Sequence, residues 1–365
     1  GLPARHEFNK NSGDRMRIAQ VAPLAESVPP KLYGGTERVV SWLTEKLVER
    51  GHEVSLFASG DSITSAQLVA CAPQGLRLSG MRDHIASHLV MLDNVLRRID
   101  DFDIVHFHVD LLQYPVFRAH AARCLTTLHG RLDLPDYHPV YQHFSEMPLV
   151  SISNAQRKPM PANVNWLSTI HHGMPDPEMY SAEGGDYLLF LGRICPEKSP
   201  TRAIEIAKRA GVPLKIAAKV DPADQQYFDT IVKPLLDHPL IEFIGEVNDE
   251  GKFGLLAGAR ALLFPIDWPE PFGLVMIESM AVGTPVLAWR NGSVPEIIRD
   301  GVTGVIVDSL DEAVLAVDSV RKLDRAGVRR HFENNFTVSH MAAKYEQAYE
   351  ALLTTKAKLV RIAAE

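Results

Sequence analysis

"WPEPFGLVMIESMAVGTPVLA" runs from Trp268 to Ala288, and its reading decides the architecture. RALLFPI (260–266) precedes it and PVLAW (285–289) closes it, so one helix stands between two short apolar runs of strand character. Pro271 suits the first turn of a helix, where a missing N–H costs nothing, and the helix is expected to begin near Phe272. The free N–H groups of Gly273, Leu274 and Val275 would then point out beyond the sheet. Glu270 hangs at the mouth, and Glu278 lies about two turns further along the same helical face. A carboxylate in so apolar a helix is costly unless something pairs with it. One capping acid and one core ion pair would be the structural explanation; two hydroxyl-rich groups of a ligand would be the functional one.

Strand-like runs alternate with amphipathic stretches on both sides. MRIAQVAPL (16–24) is followed by a helical pattern over Thr36–Arg50 and then HEVSLFAS (52–59). DIVHFHV (103–109), CLTTLHG (124–130), PLVSIS (148–153) and NWLSTI (165–170) continue the first series. A second begins at DYLLFLG (186–192) and runs through PLKIAAKV (213–220), LIEFIG (240–245), RALLFPI, PVLAW and GVIV (304–307). Alternation of this kind predicts an α/β protein with parallel sheets, two Rossmann-like domains facing across a cleft. The predicted divisions are an N-terminal domain over 16–170, a Gly/Pro-rich linker over 171–186, a C-terminal domain over 187–335 and a helix over 336–365 returning to the first domain. The polar segment 1–15 has no apolar centre and does not look like a signal peptide; it is read as a disordered cloning remnant outside the fold.

Composition narrows the function. The 365 residues are 46% hydrophobic and 23% charged, as in soluble globular proteins, and no apolar run reaches bilayer length. A net charge of −7 without a basic block argues against a nucleic-acid partner. Cys71, Cys124 and Cys195 are too few and too scattered for a disulfide framework or a zinc site, and they suit a reducing cytoplasm.

Other motifs fall at predicted strand ends. Gly34-Gly35-Thr36-Glu37 opens the first helix, where close backbone approach and a helix N-terminus would accommodate a diphosphate; it is not the Gly-x-Gly-x-x-Gly fingerprint. Arg193 and Lys198 in GRICPEK (192–198) are two cations able to neutralise two phosphates, or else a solvated pair with Glu197. His106 and His108 share one strand face, but no carboxylate ligands accompany them, and a hydrogen-bonding role is expected rather than a metal. Asp101-Phe102-Asp103 precedes its strand and is read as solvated.

Taken together and in this order, these motifs resemble the family-4 glycosyltransferases of the GT-B fold, from Met16 to about Leu353. The family's Glu-x7-Glu is matched by Glu270 and Glu278, its Gly-Arg-x-x-x-Glu-Lys by GRICPEK, and its Gly-Gly-x-Glu by GGTE. "ESMAVGTPV" and "GSVPEIIRDGVTGVIV" also fit, and His129 in TTLHG matches the Thr-x-His segment whose His lies against the donor sugar in relatives. Two positions depart: Ser199 stands where Gly is common, and the usual Asn-Gly-Ile-Asp reads His172-Gly173-Met174-Pro175.

The resemblance implies a retaining transfer of a hexose from a UDP- or GDP-type nucleotide sugar to a hydroxyl acceptor, with no cofactor and no obligatory metal. Arg193 and Lys198 would hold the diphosphate. Glu270 and the amides from Phe272 through Gly273 and Leu274 to Val275 would hold sugar and phosphate, and Glu278 the ribose. Gly34 and Gly35 would lie against the nucleotide sugar, and His129 would complete the catalytic set with Glu270, Arg193 and Lys198. Membrane contact would follow only from a lipid acceptor. A same-fold epimerase or a hydrolase is the enzymatic alternative, and a two-domain binding protein of the periplasmic type is the non-enzymatic one.

Overall fold

The computed structural model describes residues 15–364, so all but the last residue of the remnant expected at 1–15 lies outside the described residues. Thirteen strands occur in the order β1 (Arg17–Val21), β2 (Glu53–Ser59), β3 (Gln67–Ala72), β4 (Ile104–Phe107), β5 (Cys124–Leu128), β6 (Pro148–Ser151), β7 (Asn165–Thr169), β8 (Leu188–Arg193), β9 (Leu214–Lys219), β10 (Ile241–Phe243), β11 (Ala261–Phe264), β12 (Val286–Trp289) and β13 (Gly304–Val307). One sheet has the order β3-β2-β1-β4-β5-β6-β7, the other β10-β9-β8-β11-β12-β13. The pairings within β1–β5 and within β8–β13 are parallel. Numbered from β8, the second sheet is the Rossmann order 3-2-1-4-5-6.

Each predicted strand is present; β13 has the expected bounds, β8 starts two residues later and ends one residue later than expected, and the others are trimmed by one to four residues. β3 was not foreseen. It is an edge strand with an exposed and half-exposed pattern, and so lacks the apolar run that marks the buried ones. The chain folds as two compact units, one of residues up to 127 with 146–148 and 347–365, the other of 128–145 and 149–346.

In the first unit the helix Gly35–Glu49 buries Val39, Val40, Leu43 and Leu47 at the spacing of one face. The last part of the helix Val338–Ala364 belongs to this unit, where Tyr349 bonds His106 Nδ1 at 2.6 Å and accepts from Gln20 Nε2 at 3.1 Å. In the second unit Leu188, Phe190, Leu214, Ile216, Leu263 and Leu287 make the sheet's contribution to one continuous core, covered by Ala203, Ile204 and Ala207 of the helix Pro200–Ala210. β8 lies between β9 and β11, so the strand order reverses at the β8/β11 boundary. In open α/β sheets, ligands bind beyond the carboxyl ends of the strands at that reversal.

Candidate active site

The two chain segments leaving the carboxyl ends of β8 and β11 are tied to each other. Arg202 donates to the carbonyls of Pro265 at 3.2 Å and Ile266 at 3.1 Å, and the Asp267 N–H donates to the Glu197 carbonyl at 2.8 Å. This fastening places Lys198, on the turn Pro196–Lys198, against Glu270. Lys198 Nζ lies 2.7 Å from Glu270 Oε2, and the Trp268 indole N–H donates to the same oxygen at 2.8 Å. Glu270 is 8% exposed, so the ammonium and the indole together compensate a desolvated carboxylate. Arg193 ends β8 and makes looser ion pairs with Asp221 at 3.8 Å and Asp224 at 3.7 Å.

The backbone around Glu270 is held from the segment after β12. Ser293 N–H donates to the Glu270 carbonyl at 2.9 Å, and Ser293 Oγ donates to the Phe272 carbonyl at 2.7 Å. Gly292 permits this approach. A Cβ there would lie 2.3 Å from Glu270 N and 2.5 Å from Glu270 O, and its φ of +53° is left-handed.

Here the structure corrects the sequence. The helix begins at Leu274, not near Phe272, because Gly273 at φ 87° is its N-cap and breaks the helical path. Phe272 is therefore outside the helix, and Leu274 and Val275 are its first two residues. Glu270 also lies outside it, so the two acids do not share one helical face. Both acids are ion-paired, and neither caps the helix, whose N-cap Gly273 receives no side-chain hydrogen bond. Glu278, 5% exposed, meets the ammonium of Lys252, which lies 3.2 Å from Asp249.

A cluster of imidazoles adjoins this helix start. His129 follows β5 and stacks on His172, ring centroids 5.5 Å apart and planes at 17°. His172 in turn meets the Phe272 ring edge-on at 4.7 Å. Burial pushes the His129 imidazole down to about 3; burial, then the neighbouring His129 and His171, hold His172 well below its ordinary value. Both rings are thus neutral at physiological pH. His171 lies 2.7 Å from Glu296 Oε1, and that carboxylate also accepts from the N–H groups of Asn154 at 2.6 Å and Ala155 at 3.2 Å. Burial raises Glu296, but these hydrogen bonds outweigh it and hold the acid below its usual range.

Gly34 and Gly35 belong to the other unit. Gly34 is the N-cap and Gly35 the first residue of the Gly35–Glu49 helix. His106 and His108 are also there, buried in a polar network: His106 Nε2 lies 2.7 Å from Thr127 Oγ1, and His108 Nε2 lies 2.6 Å from Gln20 Oε1. The hydrogen-bonding role expected of them holds. Asp103 is not simply solvated, since it accepts from Arg17 N–H at 2.8 Å and pairs with its guanidinium at 2.9 Å. Among the described residues, no group of three or more His, Cys, Asp or Glu is placed to hold a metal ion.

Trp268, His172, Gly292, Ser293 and Lys252 complete the neighbourhood without having been singled out in the sequence. Trp268 and Gly292 stand within motifs already quoted. His172 departs from the family pattern, and Lys252 lies in no motif at all.

Comparison with known proteins bears on the family and the fold. "Glycosyltransferase Family 4" matches residues 33–172, and "Glycosyl transferases group 1" matches residues 178–336. Phosphatidyl-myo-inositol mannosyltransferase of Mycobacterium leprae (strain TN) is 24% identical over 387 residues, covering 94% of this chain and 99% of that protein. AviGT4, a glycosyltransferase involved in avilamycin A biosynthesis, superposes with a TM-score of 0.68 at 24% identity, covering 93% of this chain and 98% of that one. Anabaena HepE in complex with UDP and glucose superposes with a TM-score of 0.68 at 16% identity, covering 92% of this chain and 100% of that one. With two parallel-sheet α/β domains and these matches along most of its length, the chain belongs to the family-4 glycosyltransferases of the GT-B fold and is a transferase enzyme.

Proposed function

We propose that this enzyme is a retaining hexosyltransferase of the cytoplasm, moving a sugar from a UDP- or GDP-type nucleotide sugar to a hydroxyl acceptor without an obligatory metal. The observation that carries the proposal is the Lys198–Glu270 pair, 2.7 Å apart beside the Leu274 helix start and at the strand-order reversal of the second sheet. A cation, a hydroxyl acceptor and free helix amides in one place suit a substrate that carries a diphosphate and a sugar together. HepE, which shares this fold, was crystallised with UDP and glucose. The free cysteines Cys71, Cys124 and Cys195 are in keeping with a reducing compartment.

In this reading Arg193 and Lys198 stabilise the charge that gathers on the departing diphosphate. Glu270 takes hydroxyls of the donor sugar, and the N–H groups of Gly273, Leu274 and Val275 take phosphate or sugar oxygens. Glu278 takes the ribose. His129, neutral, hydrogen-bonds the sugar. Gly34 and Gly35 let backbone approach the nucleotide sugar. As the glycosidic C–O bond breaks, an oxocarbenium-like centre forms. The acceptor oxygen attacks from the same face, and its proton passes to a donor phosphate oxygen, so that no protein nucleophile is needed.

The test is a panel of UDP-, GDP- and ADP-sugars by thermal shift, followed by product analysis with and without acceptor. A ligand at about 100 times its Kd adds about 2.7 kcal/mol of stability. Transfer only with acceptor, with Arg193→Ala and Lys198→Ala both weakening free nucleoside diphosphate, supports the proposal. An epimerised or hydrolysed donor in the absence of acceptor, or loss of transfer in EDTA restored by manganese, overturns it.

A further inference from the structure

Glu278 is the acid assigned above to the ribose, and what holds it comes from a different helix. The helix Asp249–Gly258 packs beside Leu274–Ala281, and Lys252, in its first turn, directs its ammonium to Glu278 Oε2. The Lys252 side chain is 14% exposed and that of Glu278 6%, whereas Asp249, 3.2 Å from the same ammonium, is 58% exposed. The ammonium thus sits between a buried carboxylate and an open one. Its helix start is itself fixed, with Asn248 Oδ1 accepting from Gly251 N–H at 2.9 Å. The other cations on elements packed against the Glu278 helix are engaged elsewhere. Arg325 donates to the carbonyls of Ser181, Ala257 and Ala259, Arg329 to Asp176 and the Ala281 carbonyl, and Arg330 to Asp324.

An ionised carboxylate only accepts hydrogen bonds, which matches a pair of ribose hydroxyls; a protonated one gives up one of those acceptor sites. A carboxylate as buried as Glu278 is costly without a paired charge, and that charge also fixes its orientation. We infer that Lys252 is a positioning residue for the nucleotide: it holds the Glu278 carboxylate aimed at the ribose diol without touching the ligand itself. The inference rests on the proposed ribose role of Glu278.

The experiment measures, by calorimetry, the Kd of UDP and GDP, of their 2′,3′-dideoxy analogues and of inorganic pyrophosphate. The proteins are the parent, Lys252→Met, Lys252→Arg, Glu278→Gln and the Lys252→Met/Glu278→Gln pair. For the nucleoside diphosphate that binds, Lys252→Met should weaken affinity about ten-fold or more, the size of one charged hydrogen bond. Pyrophosphate and the dideoxy analogue should bind as they do to the parent, Lys252→Arg should recover most of the loss, and the double variant should bind no worse than Glu278→Gln alone. Unchanged nucleotide affinity in Lys252→Met, with Glu278→Gln weakened, sinks the Lys252 inference and leaves the ribose role standing. Parent-like affinity in Glu278→Gln sinks the ribose role itself. An equal loss for pyrophosphate, or additive losses in the double variant, shows that Lys252 meets the ligand directly. Should Lys252→Met alone fail to fold, the double variant against Glu278→Gln, with Lys252→Arg, makes the same comparison without a buried unpaired charge.

Discussion

Lys198 Nζ carries three N–H donors, so the ammonium that pairs with Glu270 at 2.7 Å can also donate to a phosphate. Glu270, held by Lys198 and the Trp268 indole, has acceptor capacity left for a hydroxyl of the sugar. Glu270→Gln should therefore lower turnover more than it lowers nucleoside diphosphate affinity, because the sugar is absent from that product. Glu278→Gln should weaken the free diphosphate as well, by about 1.5–3 kcal/mol. Calorimetry and initial rates on both variants check this, and equal behaviour of the two would remove the division of labour. A second expectation concerns Ser199, whose φ of 53° places an ordinary side chain in the left-handed region at the start of the Pro200–Ala210 helix. It makes no capping hydrogen bond there, so Ser199→Gly should raise stability by up to about 1 kcal/mol, read from a urea midpoint. Lower stability would mean that the hydroxyl does something the geometry does not reveal. Glu270, Lys198 and Arg193 were legible because they stand in motifs beside strand ends. Lys252 was not, since a lysine in a first helical turn ordinarily faces water and only the packing of two helices shows that this one does not. His172 was hidden by its departure from the usual asparagine.

Between elements, the decisive contact is a glycine. Gly292 belongs to the segment after β12, yet its missing side chain makes room for the backbone of Glu270 after β11. Gly292→Ala would set a methyl 2.3 Å from Glu270 N and demand a left-handed alanine, so the Glu270 turn must move. Destabilisation of at least about 1 kcal/mol is expected, with turnover falling further than stability alone explains. A variant of parental rate and melting temperature would show that the turn tolerates displacement. Strands were readable because a buried parallel strand is nearly all apolar, as in the fully buried Ala261–Phe264 and Val286–Trp289. The helix start was misplaced by two residues because Pro271 is a good first-turn residue, whereas the positive φ of Gly273 is a property of the folded backbone. β3 escaped because an edge strand carries no continuous apolar signal.

For the molecule as a whole, the buried imidazoles set how stability answers to acid. His129 is pushed down to about 3 by burial, and His172 well below its ordinary value for the same reason first. Burial also lowers His88 and His331. An unfolded histidine takes up its proton near pH 6.5, so between about 6.5 and 3 the unfolded chain binds protons that the folded chain refuses. Stability from this source is whole above pH 6.5 and falls as the pH drops through that window. At pH 5, His129 alone should cost about 2 kcal/mol relative to neutral pH. The carboxylates held low, Glu296 and Asp176, act in the same direction but only as the pH falls into the carboxylate range, so the loss between pH 7 and 5 belongs to the histidines. Urea midpoints at pH 7.5, 6 and 5 on the parent and on His129→Gln measure it. The parent should lose stability steadily, and the variant, whose amide does not titrate, should lose about 2 kcal/mol less over the same span. Burial raises Glu37 and Asp110, which act in the opposite direction, so the comparison with His129→Gln decides: equal losses in parent and variant would mean that His129 gains a proton without cost, and then its neutral role beside the sugar could not stand.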